Sequence, residues 1–102
     1  LGHELAEMIN QLRTVGAESS SIEAKTGVGR AVLETLSAFS NHGGGILIVG
    51  VSENDGFTVV QDFNPKAARD ALTSFCDQLS PPARPEISIV PFESGQVLVA
   101  EI

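Results

Sequence analysis

Apolar side chains recur along this chain at two spacings. Intervals of three to four residues predict helices, whereas alternation or a short apolar run predicts strands. The predicted helices cover residues 3–15, 28–41 and 65–79, and the predicted strands cover 21–25, 45–51, 57–60, 86–92 and 96–102. The pattern therefore predicts an α+β fold in the order α-β-α-β-β-α-β-β, a mixed sheet of about five strands with two or three packed helices.

The stretch 38–51, AFSNHGGGILIVGV, joins the end of a helix to a strand that is apolar on both faces. Such a strand is typical of the centre of a sheet that is covered from two sides. The three glycines match no phosphate-binding loop, because that loop leaves a strand and opens a helix, whereas these leave a helix and open a strand. Their expected role is structural: positive φ and close packing.

Three local signals sharpen the predicted elements. Thr26 or Gly27 is the expected N-cap of the second helix, whose buried stripe should hold Ala31, Val32, Leu36 and Phe39. Asn64 followed by proline predicts the start of the third helix. Proline within 86–92 predicts an edge strand or a bulge. Cys76 is expected to pack in the core as a small hydrophobe.

Size and charge limit the possible functions. A chain of 102 residues is one domain, and its 13 acids and six bases give a net charge of −7. As a whole it would repel a polyanion, so nucleic-acid binding needs a local basic patch, a metal, a second domain or a homodimer. The single cysteine and the absence of an apolar leader or membrane span predict a cytoplasmic protein, and the strand pattern that runs to residue 102 predicts a longer polypeptide.

The junction before the second helix is the best candidate for binding phosphate. It passes from strand to helix with two glycines and two cations, and such a junction presents free backbone N–H groups. The candidate residues for phosphate or nucleic acid are Lys25, Thr26, Gly27, Gly29, Arg30 and Asn41. The alternative is an ordinary capped helix with a solvated lysine and arginine.

Carboxylates near this junction suggest a metal site. Glu18 and Glu23 flank the first strand, and Glu53 or Asp55 follows the central one. If those strands are neighbours, the acids converge and suit Mg²⁺ or Mn²⁺, which can activate water or bridge a phosphate. The alternative is a surface ion pair between Glu23 and Lys25.

Three segments together resemble the Schlafen/Alba-like domain: ES at 18–19 with IEAK at 22–25, AFSNHGGGILIVGV at 38–51, and SPPARPE at 80–86. The resemblance covers residues 18–102, with residues 1–16 as a lead-in helix. This family is described as a DNA-binding module, and also as a divergent AAA-type ATP-binding domain. It usually opens bacterial or archaeal transcriptional regulators.

The resemblance implies DNA as partner within a longer regulator. Its alternatives are an ATP- or nucleotide-binding regulatory module and a metal-dependent endoribonuclease whose carboxylate triad is similar to Glu18, Glu23 and Glu53. This chain departs from the family pattern at three places. Alanine stands at position 24 for phenylalanine, histidine at 42 for threonine, and Ser52-Glu53 replaces the usual aspartate. If Glu53 does not serve as the third acid, the triad is incomplete.

Overall fold

The computed structural model describes residues 2–15, 21–79 and 84–102, with the side chains of the first segment described from 4 to 14. Its elements are α1 (Gly2–Val15), β1 (Ile22–Lys25), α2 (Arg30–Asn41), β2 (Ile46–Val49), β3 (Val51–Ser52), β4 (Thr58–Val59), α3 (Pro65–Gln78), β5 (Glu86–Phe92) and β6 (Gly95–Glu101). The α+β class and the order of elements are confirmed. The strand that was predicted over 45–51 is interrupted at Gly50, so it forms two strands, β2 and β3.

The main sheet has four strands in the order β1-β2-β6-β5, and β3 and β4 form a separate two-stranded ribbon. β1 runs parallel to β2, whereas β6 is antiparallel to both β2 and β5. β2 is therefore paired on both sides, which confirms that it is a central strand. β5 lies at the edge, as Pro91 predicts, since proline lacks the N–H that an internal strand must donate.

The sheet is covered on both faces by helices. α1 packs on one face with β3 and β4, and three of its leucine and isoleucine side chains, Leu5, Ile9 and Leu12, are buried. α2 and α3 cover the other face through Val32, Leu36, Phe39, Ala68, Leu72 and Cys76. Successive residues of the central strands β2 and β6 point alternately into the two clusters, so both clusters are anchored on the same pair of strands.

The second helix differs from its prediction in start and phase. It begins at Arg30, because Gly29, rather than Thr26 or Gly27, is the extended N-cap residue. Ala31 is exposed, and Thr35 is the polar residue on the buried side. The buried positions 32, 35, 36 and 39 follow the i, i+3, i+4, i+7 spacing of one face, and position 31 lies about 100° away from position 32.

Gly50 divides β2 from β3. Its N–H donates to the carbonyl of Lys25 at 2.8 Å, and its carbonyl accepts from the N–H of Val60 at 2.8 Å. Its φ is +105°, and a Cβ at this position would lie 2.6 Å from the ring of Phe63. Gly50 thus joins the sheet, the ribbon and the entry to α3 at a position that an L-residue with a side chain cannot occupy without strain.

Arg13, near the end of α1, ties this helix to two turns. Its Nε donates to the carbonyl of Gly56 and its Nη2 to the carbonyl of Phe57, both at 3.0 Å. Nη2 also pairs with Glu93 at 3.1 Å. Phe57 and Glu93 both have positive φ, the sparsely populated region for residues other than glycine, so Arg13 supports two strained turns at once.

We expect Arg13→Ala to lower the free energy of unfolding by about 1–3 kcal/mol, because two backbone carbonyls lose a charged donor and Glu93 loses its partner. Urea unfolding monitored by circular dichroism measures the change. The matched control is Arg84→Ala, which removes an ion pair of similar length to Asp77 between side chains that are 75% and 63% exposed. That control should change stability by less than about 0.5 kcal/mol. Equal effects of the two substitutions would contradict the role given to Arg13.

Gly50→Ala should destabilise the fold by about 2 kcal/mol or more, because the new Cβ meets an aromatic ring at an unfavourable φ. Gly27→Ala is its control, since a Cβ at position 27 has open space around it. Thermal unfolding of the two variants should separate them clearly. A Gly50→Ala protein as stable as the wild type would refute the packing described at this junction.

Candidate functional site

The carboxyl ends of β1 and β2 meet at one edge of the sheet. Their parallel register places Lys25 beside Val49, so the first and central strands are neighbours, which was the condition set for the acids to converge. Both chains then leave this edge, one through Thr26 and Gly27 into α2, the other through Gly50 into the β3–β4 ribbon. Side chains at this edge form the candidate site, because it gathers the segments with free polar groups.

Glu23 is held in place on the face of β1 that α2 covers. Its Oε2 accepts a hydrogen bond of 2.7 Å from Thr35 Oγ1 and lies 3.7 Å from Nζ of Lys25. The two charged side chains are about one-third exposed, 32% for Glu23 and 29% for Lys25. Sequence reasoning missed Thr35, which appears as an ordinary mid-helix threonine until α2 is placed over β1.

The N-terminus of α2 opens onto the same edge. Thr26, Gly27 and Arg30 are exposed, and no acid lies in the first turn of the helix. Gly29 has no side chain with which to cap the first-turn N–H groups, and a Cβ at Gly27 or Gly29 would meet open space. The end of α2 therefore carries the partial positive charge of a helix N-terminus with its backbone open to a ligand.

α3 begins at the same end of the molecule as α2. The ring of Phe63, just before α3, packs against Gly50 at the end of β2, whereas Gln78 and Leu79 border the last turns of α2. The two helices thus run in the same direction. Lys66 and Arg69 extend the cationic residues of this end, and sequence reasoning missed them because nothing local places α3 beside α2.

The lysines and arginines divide by role. Arg13 pairs with Glu93 and Arg84 with Asp77, so both are engaged with carboxylates. The other four of the six, Lys25, Arg30, Lys66 and Arg69, lie at the junction or in the first turns of α2 and α3. Among the described residues, Lys25 has an ion-pair partner, Glu23, and none is found for the other three. Asp62 and Asp70 lie in the α3 segment too, so this end offers directed donors rather than a strong net positive field.

The edge also borders a cleft of about 720 Å³. It is lined mainly by hydroxyl and carboxylate side chains of the ribbon and the β5–β6 turn, among them Thr26, Ser52, Asp55, Thr58, Glu93 and Ser94. Thr26 is thus shared between the helix N-terminus and this cleft. The acidic side of the cleft disfavours a phosphate there, which leaves the helix side of Thr26 as the place for an anion.

The structure separates some of the predicted site residues. Asn41 ends α2 and borders a groove with His42 and Gln78, at the opposite end of a 12-residue helix from the junction. Glu53 is exposed in the turn that leads to Gly56. Glu18 lies outside the described residues. Within the described part of the chain, no group of three His, Cys, Asp or Glu side chains is arranged to hold a metal ion. The metal and catalytic roles of Glu18, Glu23 and Glu53 remain predictions.

Cys76 packs in the core between α3 and the sheet, 2% exposed. Burial raises the pKa of its thiol, with a further rise from the neighbouring Asp77 and a smaller opposing effect of Arg84. A raised pKa keeps the thiol protonated and weakly nucleophilic, so the packing role that was predicted for this residue agrees with its surroundings.

The raised pKa of Cys76 sets a pH dependence. The unfolded chain loses this proton at lower pH than the folded one, so the stabilising contribution is complete below the unfolded pKa of about 8.5 and is lost as pH rises from there through the folded pKa. Urea unfolding across this range should show a decline that Cys76→Ala lessens, although that variant starts from a lower stability. The same slope in both proteins would count against a buried, neutral thiol.

The protein is thus an α+β domain with an open strand-to-helix junction, and it is similar to known proteins. The chain belongs to the Schlafen, AlbA_2 family, whose pattern matches residues 18–102. It is also similar to the solution NMR structure of the N-terminal domain of a protein from Nitrosomonas europaea that is named for its relation to the ATP-dependent DNA helicase RecG. That similarity has a TM-score of 0.72 and 31% identity, and covers 92% of this chain and 69% of the other. No curated protein matches the chain.

The helices of the described segments are too short or too polar to cross a bilayer. α1 lies outside the residues that the family pattern matches, yet three of its side chains are buried in the core. In this chain, the family domain is therefore completed by a helix that precedes it.

Proposed function

We propose that this domain binds nucleic acid, and DNA in particular, by holding a backbone phosphate at the N-terminus of α2. The observation that carries the proposal is the open junction itself: exposed Thr26, Gly27 and Arg30 lie beside a helix start that no side chain caps. The N–H of Val32 donates to the Gly29 carbonyl, so the N–H groups that precede it in the first turn are the ones proposed to meet the phosphate. Backbone N–H groups at a helix start, a hydroxyl and a guanidinium are the donors that proteins use to hold phosphates. The family and the RecG-related neighbour support a role connected with nucleic acid.

Within the junction, each residue has a distinct part in the proposed contact. Arg30 is exposed and supplies a forked donor suited to phosphate oxygens. Lys25 is held by Glu23 and contributes a weaker field, because its charge is partly compensated. Gly27 and Gly29 allow the phosphate to approach the backbone closely, since neither position has a side chain in the way. Lys66 and Arg69 at the start of α3 would meet a neighbouring phosphate.

The acidic composition shapes what kind of binding to expect. With a net charge of −7, long-range attraction to a polyanion is absent, and binding depends on a small number of short contacts. Affinity from this domain alone should be modest, and the slope of log affinity against log salt should be shallow, about one for each phosphate contact. A regulator that uses the domain would add contacts through further segments or a second copy, which agrees with the family's expected place at the start of transcriptional regulators.

The test is fluorescence anisotropy of labelled DNA and RNA oligonucleotides at low salt. Arg30→Ala should weaken binding to all sequences to a similar extent and reduce the slope of log affinity against log salt by about 1, because one phosphate contact is lost. Arg84→Ala removes the same charge near the other end of α2, beside Gly43 and Gly44, and should bind like the wild type.

Four results would change the conclusion. Absence of binding by the wild type at low salt, or equal affinity of Arg30→Ala and the wild type, would reject the junction as a phosphate site. Displacement of the oligonucleotide by ATP would favour the nucleotide-binding alternative. Mn²⁺-dependent cleavage of the RNA that is lost in Glu23→Gln would favour the endoribonuclease alternative, in which Thr35 orients the Glu23 carboxylate.

A further inference from the structure

β5 presents a free edge. It is the last strand of the four-stranded sheet, and no described strand lies beyond it. With seven residues it is as long as its partner β6 and longer than the other strands of the structure. An edge of this length carries backbone groups that a further strand can pair with, unless the sequence blocks that pairing.

The backbone groups that point outward from β5 follow from its register. The hairpin closes through Phe92 and Gly95 with two residues between them, so residues 92, 90, 88 and 86 exchange hydrogen bonds with β6. The pairing of β6 with β2 is consistent with this register. Gly45 and Ile102 exchange two backbone hydrogen bonds, so the even-numbered residues of β6 direct their backbone groups toward β2 and the odd-numbered ones toward β5. Residues 87, 89 and 91 therefore point their backbone groups away from the sheet, and position 85 continues the series.

Prolines bracket this outward row. Pro85 and Pro91 have no N–H, so the outward donors of the row are those of Ile87 and Ile89. The side chains of both isoleucines are half-buried and belong to the cluster under α2 and α3, beside half-buried Phe75 and Leu79. The edge thus combines two unpaired donors with an apolar margin.

We propose that two copies of this domain dimerise through antiparallel pairing of their β5 edges, with the two-fold axis at Ser88. The two four-stranded sheets then form one continuous sheet. In this register Ile87 faces the partner's Ile89, and each N–H donates to the opposite carbonyl. Pro85 faces the partner's Pro91, and because neither has an N–H, this pair forms no hydrogen bond and the unpaired carbonyls are those of the prolines at the two ends of the shared edge. The apolar margins of the two copies meet on one face of the joined sheet.

A comparison with the neighbouring register and the charge of the segment both favour the register with Ser88 at the axis. A shift that places Ile89 opposite the partner's Ile89 sets Pro91 against the partner's Ile87, so an unpaired carbonyl falls at Ile87, inside the shared edge, instead of at the prolines that end it. Residues 85–92 contain one charge, Glu86, which in the proposed register faces the partner's Val90 rather than its own copy. Two chains of net charge −7 can meet here because the segment is almost uncharged. A basic or acidic partner would find no complementary charge on this edge.

Cysteine cross-linking tests the register directly. Ser88 would face the partner's Ser88 in a non-hydrogen-bonded pair, because its N–H points toward β6, and such pairs bring Cβ atoms to about 4.5–5.5 Å. Ser88→Cys should therefore form a disulfide-linked dimer rapidly under mild oxidation. Gln96→Cys, exposed at the start of β6, is the matched control and should cross-link only slowly. The wild type, whose Cys76 is buried, should not cross-link.

Sedimentation equilibrium of the wild type supplies the second measurement, with a concentration-dependent dimer as the expected result. A monomer at all concentrations would overturn the proposal and assign Pro85 and Pro91 the role of blocking edge pairing. A dimer in which Ser88→Cys cross-links no faster than Gln96→Cys would overturn the register and place the interface elsewhere. The outcome does not depend on whether the domain binds nucleic acid.

Discussion

The pairing of β2 on both of its edges is the constraint on which this fold depends. Its parallel neighbour β1 and its antiparallel neighbour β6 fix the two faces that α1 and the other helices must cover. The apolar run of residues 46–49 can be buried only in this central position, because Leu47 and Val49 point to one face and Ile48 to the other. The glycines on either side then decide how the chain enters and leaves the strand.

The same pairing creates the candidate site. A parallel pair brings two carboxyl ends to one edge, and the helical crossover between the strands begins there, so a helix start lies at that edge. Gly50 ends β2 at this edge by donating to Lys25 and accepting from Val60, so the ribbon and α3 begin beside the start of α2. The cations of two helix starts therefore gather at one end of the molecule as a consequence of topology.

Local patterns were sufficient for most of the fold and for part of the site. Helices with a clear apolar period, the central strand and the Asn64 cap could be predicted, because each depends on neighbours in sequence. The predicted N-cap of α2, Thr26 or Gly27, was wrong by two or three residues, because Gly29 is the N-cap. Glycines on both sides of position 28 offer alternative helix starts, and packing selects one of them. Thr35 and Lys66 could not be assigned to the site, because their relevance depends on which helix lies over which strand. Asn41 belongs to the stretch 38–51 that resembles the family, but it lies at the end of α2 opposite the junction.

If an acidic chain is to bind a polyanion, its binding end needs cations that are not already engaged in internal ion pairs. In this structure, Arg13 and Arg84 are engaged with carboxylates, whereas Arg30 is exposed at the junction and Lys66 and Arg69 are exposed in the first turns of α3. Lys25 is the intermediate case, since it also fixes the charge of Glu23. If β5 edges join two copies, the number of proposed phosphate sites doubles without a change in net charge per residue, and linked sites bind a polymer more tightly than separate ones. Two sites on one dimer would then compensate for the weak attraction of a single acidic domain to nucleic acid, without additional positive charge on either copy.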